Sequence, residues 1–438
     1  MDKTNNKLWI HIFDVFIILM HITYGMSMLK VWILDPFNIP YYIDIISISA
    51  LAFFMRFDGK LHLLVAKHNI IFLLFIFLYV ADIVQYLFFD TEKALLRILF
   101  LIDIILFMEY VYSLYLEKRG ASNTPVNSIT NSFEFFAVYN VIVVILCAVL
   151  IFVGIVSPFD NPIPVNGLTY NNVMDGYPYF FPAHLSLSTE TMRGLISFNI
   201  PVLTGLAHEP HVLLYLIGPA FFLVFRRIMD RPFWVVVWYI LFFLVLIIST
   251  STTAIVSFGV VLVVEQLYNI FIHKPKLSNY LVLFLLIGIA LWIVYVGRDF
   301  FEIMTSQIDS KVNTGNDEGS RGFSYSMLKY MVSPRSLFGL GNMPGETGYA
   351  LDNKDIGFIS CILDLFFVAL FAIKAIKDVF NKNRIIHYYG MAFLYFILHT
   401  TKMGVQTFSF QYLSFFVVML IIVDCEKERF ARCEMLVE

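Results

Sequence analysis

Three arginines and three groups able to handle a proton hold the chemistry legible in this chain. Arg193, Arg321 and Arg335 stand in two long polar stretches. A guanidinium stays charged at all relevant pH values and grips phosphate or carboxylate through two parallel hydrogen bonds. The segment Gly205-Leu-Ala-His-Glu-Pro-His211 sets His208 and Glu209 where the first polar stretch returns to an apolar run. At such a half-dry boundary a histidine or carboxylate has a shifted proton affinity and can act as a base. Glu209 equally suits the start of the helix that follows, its charge facing the helix dipole and Pro210 in the first turn. Asp352, with Asn353, precedes another apolar run and presents the same two options, base or cap. Neither a His-Glu-x-x-His zinc motif nor a Gly-x-Ser-x-Gly nucleophile elbow occurs, so location has to carry the assignment. The segment SPRSLFGLGNMPGETG frames a tight turn with Gly339 and Gly341 but lacks the Gly-Lys-Ser/Thr of a phosphate-binding P-loop.

The elements that position these groups are apolar. Of 438 residues 59% are hydrophobic and 14% charged, with a mean hydropathy of +0.77. Soluble domains carry about a quarter charged residues. The chain therefore reads as all-α, a polytopic transmembrane helical bundle, in one integral membrane domain over 1–438. Its 46 Phe and 24 Tyr suit lipid-facing surfaces and interfacial belts. A net charge of −3 predicts no nucleic-acid partner.

Runs of the length needed to cross a bilayer place twelve spans at 9–28, 38–55, 69–89, 95–116, 135–156, 208–225, 233–250, 253–272, 279–297, 355–373, 385–401 and 405–424. The first has no small-residue cleavage signal and is read as retained. With the N-terminus inside, 19 of the 30 Lys and Arg fall on the inner side, which predicts a multi-pass protein with both termini cytoplasmic. Two long outer loops remain, 157–207 and 298–354. Structureless loops of that length are rare unless they carry function or are disordered, and each is expected to hold a short amphipathic helix. In the second, Ser320 caps a helix with Phe323, Met327, Leu328 and Met331 on one face. That loop holds six Lys or Arg against seven Asp or Glu, a pattern of individually placed cations rather than a basic surface. No spacing of the four cysteines suggests zinc or a disulfide framework.

Inside the spans lie Asp14, Asp44, Asp82, Asp103, Glu109, Glu265 and Asp364. Ionisable groups in a bilayer are costly and mark either function or internal pairing. They motivate one reading, a proton-coupled transporter or a flippase for lipid-linked oligosaccharides.

Four segments, in order, give the chain a second reading. They are Arg193 followed by TGLAHEPHVLLY, STSTTAIVSF at 249–258, Arg321 with Tyr325, Pro334 and FGLG at 338–341, and LDNKDIGFIS at 351–360. Together they resemble the O-antigen polymerase family (Wzy), within the wider polymerase and ligase group of membrane glycosyltransferases. The resemblance covers about 180–370. Many relatives have Ser-Arg where this chain has Ser251-Thr252, and ligase-type relatives have His where it has Asp352.

The resemblance implies a role in lipopolysaccharide biosynthesis in the bacterial inner membrane. The enzyme would join repeat units linked to undecaprenyl pyrophosphate at the periplasmic face, without cofactor or metal, with a chain-length regulator and a flippase as further partners. It implies Arg193, Arg321 and Arg335 for the pyrophosphate, Glu209 or His208 as base, and Asp352 to orient the acceptor. The alternative within the group is an O-antigen ligase, which transfers finished glycan to a lipid A core.

Overall fold

A computed structural model describes residues 3–23, 52–54, 56–67, 69–89, 91–119, 125–155, 162–163, 177–180, 183–186, 202–205, 210–249, 251–272, 277–296, 366–403 and 410–435. Helices dominate. They are α1 (Lys3–Thr23), α2 (Ile70–Phe89), α3 (Thr91–Arg119), α4 (Pro125–Phe152), α5 (Pro210–Ile228), α6 (Pro232–Ser249), α7 (Thr252–Phe271), α8 (Leu277–Val296), α9 (366–379), α10 (Arg384–Met403) and α11 (Phe410–Met435). Prolines open α4, α5 and α6, the one helical position where a missing N–H and a fixed φ cost nothing. Among the described residues, Arg97–Arg119, Ile129–Phe152, Pro232–Ser249 and Ala254–Phe271 are long and apolar enough to cross a membrane. The chain is a membrane protein built on such helices.

Sequence analysis expects a short amphipathic helix in each long loop. In the first loop the described residues form strands, and the helix expected there falls on the remainder, outside the described residues. β1 (Pro162–Ile163), β2 (Tyr177–Phe180), β3 (Ala183–Ser186) and β4 (Val202–Gly205) pair antiparallel in that order. Tyr179 faces His184 and Leu185 faces Leu203. The aromatic residues of Tyr-Pro-Tyr-Phe favour a pleated ribbon over a helix. The second loop, 298–354, lies outside the described residues, and with it the helix expected after Ser320.

At the centre stands α5, buried at nearly every position from Val212 to Phe225. Helices α4, α6, α7 and α10 pack on it, α10 most extensively, while α11 joins α10 to α1, α2 and α3. Phe221 gathers Phe222, Phe225, Trp238, Tyr239, Phe242 and Phe258 around it. The opposite faces of α2, α6 and α8 present Phe77, Phe233, Phe243 and Phe284 outward, as lipid-facing surfaces do.

A proline breaks the ladder of α5. Pro219 has no N–H for the carbonyl of Tyr215, one turn earlier. The Tyr412 hydroxyl from α11 donates to that carbonyl at 2.9 Å and to Leu216 O at 2.8 Å. Tyr395 of α10 donates to Leu214 O at 3.2 Å, and its ring lies where a Cβ on Gly218 would project. The Gly218-Pro219 pair is thus matched by two tyrosines from neighbouring helices.

Candidate functional site

Two buried polar clusters occupy the two ends of α5. At the end where α5 finishes, the two carboxylate oxygens of Glu134 on α4 take Arg226 and Arg227 respectively. Arg226 also donates to Tyr389 Oη and, at 3.0 Å, to Thr130 Oγ1, while Arg227 reaches Asn131. A buried carboxylate held by two guanidiniums is a fixed joint between α4, α5 and α10, its one negative charge shared between two positive ones.

The other cluster lies where α6 finishes and α5 and α7 begin, beside Asn140 and Val144 in the middle of α4. Strand β4 packs across α4, α5 and α6 there. Its Leu203 is fully buried, and Ser249 at the end of α6 donates to the Leu203 carbonyl at 3.3 Å. Gly205 follows with φ +57°, a left-handed conformation that favours glycine. A Cβ at Gly205 would stand 2.7 Å from Asn140 Oδ1 and 3.1 Å from Leu213. Ser251 then caps α7, accepting from Ala254 N at 3.4 Å. Alongside, His399 on α10 is fully buried, 3.2 Å from Tyr395 Oη through Nδ1 and edge-on to Tyr215. This end therefore combines a buried imidazole, amide and hydroxyls with a backbone held tightly on both sides.

The geometry joins two of the four sequence segments. Thr204-Gly205 and Pro210–Tyr215 belong to the first, and Ser249 and Ser251–Phe258 to the second; β4 and α5, which carry the first, pack on α6 and α7, which carry the second, and Ser249 bonds Leu203, the residue just before the first. Arg193, His208, Glu209, Arg321, Arg335 and Asp352 all lie outside the described residues. The described residues that flank His208 and Glu209 are Gly205 and Pro210, both at this end.

No protein-family model, curated protein or solved structure matches the chain.

The acids flagged in the sequence have partners elsewhere in the chain, tyrosines among them. Asp14 accepts from Tyr110 Oη at 2.6 Å and lies 3.5 Å from Arg56 and 3.7 Å from Lys118. Asp103 meets His21 at 3.4 Å, Glu265 accepts from Tyr239, and Glu109 accepts three backbone N–H groups. These four are therefore internally paired, the structural option of the two that a membrane-buried acid presents. The side chains of Asp44, Asp82 and Asp364 lie outside the described residues. Missed altogether were Asn140, Tyr395, His399 and Tyr412. The available signal was Gly218-Pro219 in mid-span, since a proline there frees a carbonyl that some neighbour has to satisfy. Among the described residues no three His, Cys, Asp or Glu side chains converge as metal ligands do.

Proposed function

We propose that the protein is a membrane glycosyltransferase of the O-antigen polymerase type. It would join oligosaccharide repeat units carried on undecaprenyl pyrophosphate, at the outer face of a bacterial inner membrane crossed twelve times, with both termini in the cytoplasm. The observation that carries this reading is that β4 and α5, which hold the described part of the first resemblance segment, pack at one end of α5 on α6 and α7, which hold the second. In this reading that end faces the periplasm and the two long loops complete it.

The donor already carries a good leaving group, a lipid pyrophosphate. Catalysis then consists chiefly of cations set where negative charge grows on the departing phosphate. Arg193, Arg321 and Arg335 would supply them. Glu209, with His208 as the second choice, would take the proton from the acceptor sugar hydroxyl, and Asp352 would orient that acceptor. Asp14, Asp103, Glu109 and Glu265 each have a partner of their own, so none of these four needs a transported proton to account for it.

The test is polymer formation from purified lipid-linked repeats in detergent, where no gradient exists to drive transport. Arg193→Ala and Arg321→Ala proteins, verified as folded and inserted, should each lose about a hundredfold in rate, roughly 3 kcal/mol of transition-state stabilisation. Polymer made at the normal rate by both variants would remove the site assignment. Single repeats left unjoined in a null strain fit a polymerase, whereas long unattached chains fit the ligase alternative.

A further inference from the structure

The connection 58–67, leading into α2, has a backbone bonded as if water were not at hand. Asp58 and Gly59 take left-handed conformations that reverse the chain. The N–H groups of His62, Leu63 and Leu64 then all donate to the carboxylate of Glu109, fully buried on α3, at 2.7, 2.8 and 3.0 Å. Lys60 N donates to Phe57 O at 3.2 Å, Ala66 N to Leu63 O at 3.1 Å, and Asn69 Nδ2 to Leu64 O at 2.7 Å. A loop in water needs no buried carboxylate to satisfy three successive amides. A loop touching hydrocarbon does, because an unmet backbone group there is costly.

Its side chains point the same way. Leu63 plugs into the core with no exposure, while Leu61 and Leu64 are 48% exposed and Val65 77%. Phe54 just before the connection, and Ile70, Leu73 and Phe77 on one face of α2 just after it, are exposed as well. Lys60 and Lys67 flank the tip, both exposed, with Lys67 3.3 Å from Glu428 of α11.

We propose that 58–67 is an interfacial anchor seated in an anionic lipid surface. Leu61, Leu64 and Val65 enter the boundary between headgroups and acyl chains, and Lys60 and Lys67 lie among the lipid phosphates. The occupant is lipid because the tip leads within five residues into the exposed apolar face of α2, a face that a bilayer covers. The lysines complement anionic headgroups, their stems lying along the apolar surface. Glu109 sets the depth by fixing the tip from inside the bundle. The inference is independent of the catalytic reading.

A nitroxide label decides it. The full chain, with its native cysteines replaced, carries Val65→Cys or Asp58→Cys and is reconstituted in vesicles of phosphatidylcholine and phosphatidylglycerol. At position 65 collisions with oxygen should exceed those with a water-soluble nickel chelate severalfold, and at position 58 the order should reverse. Glu109→Gln, which removes part of the amide clamp, should raise chelate access at 65. So should Lys60→Gln with Lys67→Gln. Equal chelate access at 58 and 65 in the parent chain would overturn the anchor, as would shielding of 65 from both reagents, the mark of a protein partner. An unchanged depth after loss of both lysines would overturn the headgroup contact. If Glu109→Gln does not fold, the comparison of 58 with 65 still decides.

Discussion

Replacing Tyr412 by phenylalanine deletes one hydroxyl and leaves the ring that packs on Phe133, Tyr215 and Phe416. What is lost is the donor for Tyr215 O, which Pro219 cannot supply, and for Leu216 O. All three residues are buried, so no water stands ready to replace it. A buried carbonyl left unpaired costs about 1–3 kcal/mol, and polar pairs between membrane helices average about 0.6 kcal/mol. A loss of about 1–2 kcal/mol is therefore expected for Tyr412→Phe. The second arm uses Pro219→Ala, which returns an N–H at the position facing Tyr215 O. In that background Tyr412→Phe should cost about 1 kcal/mol less, a coupling well above the few tenths typical of independent sites. Equilibrium unfolding of the four proteins in mixed micelles measures the cycle. Equal costs in the two backgrounds would show that the hydroxyl does not replace the proline's missing donor.

Two further outcomes test other joints. Burial lifts the carboxyl of Asp378 to about 6, although Lys427 and Lys374 pull it down. A carboxyl whose folded value is raised adds stability below its unfolded value near 4 and loses it as pH climbs through about 6. Between about pH 5 and pH 7.5 this loss is about 1.4 kcal/mol, and Asp378→Asn should abolish that part of the pH dependence in thermal unfolding; parallel curves for the two proteins would contradict it. At Gly390, a Cβ would meet the backbone of Asp378 and Val379, with the Asp378 carbonyl carbon 2.6 Å away, whereas one at Gly259 would meet nothing within 4 Å. Gly390→Ala should therefore lose about 1–3 kcal/mol, while Gly259→Ala is neutral or gains up to about 1 kcal/mol from helix propensity; melting temperatures in the same detergent give the comparison.

Hydropathy located the described helices and missed where some of them begin and end. The expected span at 69–89 is α2 almost to the residue, and 233–250 is α6. The run expected from 405 to 424 becomes α11, which continues to Met435 through Glu-Lys-Glu-Arg-Phe-Ala-Arg. Its polar turns are anchored by Tyr115 on Glu426 and by the contacts of Lys427 with Asp378 and Asp424, and such pairing leaves no trace in an apolar average. Similarly, α4 starts at Pro125 rather than 135, because Thr130 and Glu134 are held by Arg226, far along the chain. In the first loop, tertiary packing holds β4 against three helices, which no local pattern announces. The cations and acids proposed for catalysis rest on sequence order alone, since none falls among the described residues. What the fold adds is the flanking framework of Gly205, Ser249 and Ser251.

The proline in α5 also constrains biogenesis. As the chain is made, α5 is complete before its Tyr215 carbonyl has a donor in place of the helical one, and the tyrosines that satisfy this turn follow only with α10 and α11. Until then the segment holds an unmet polar group, costly wherever water is excluded, so the centre of the bundle sets only after α11 is in place. Nascent chains stopped before Tyr412 should accordingly be open to the membrane quality-control proteases, while chains released beyond it should escape them.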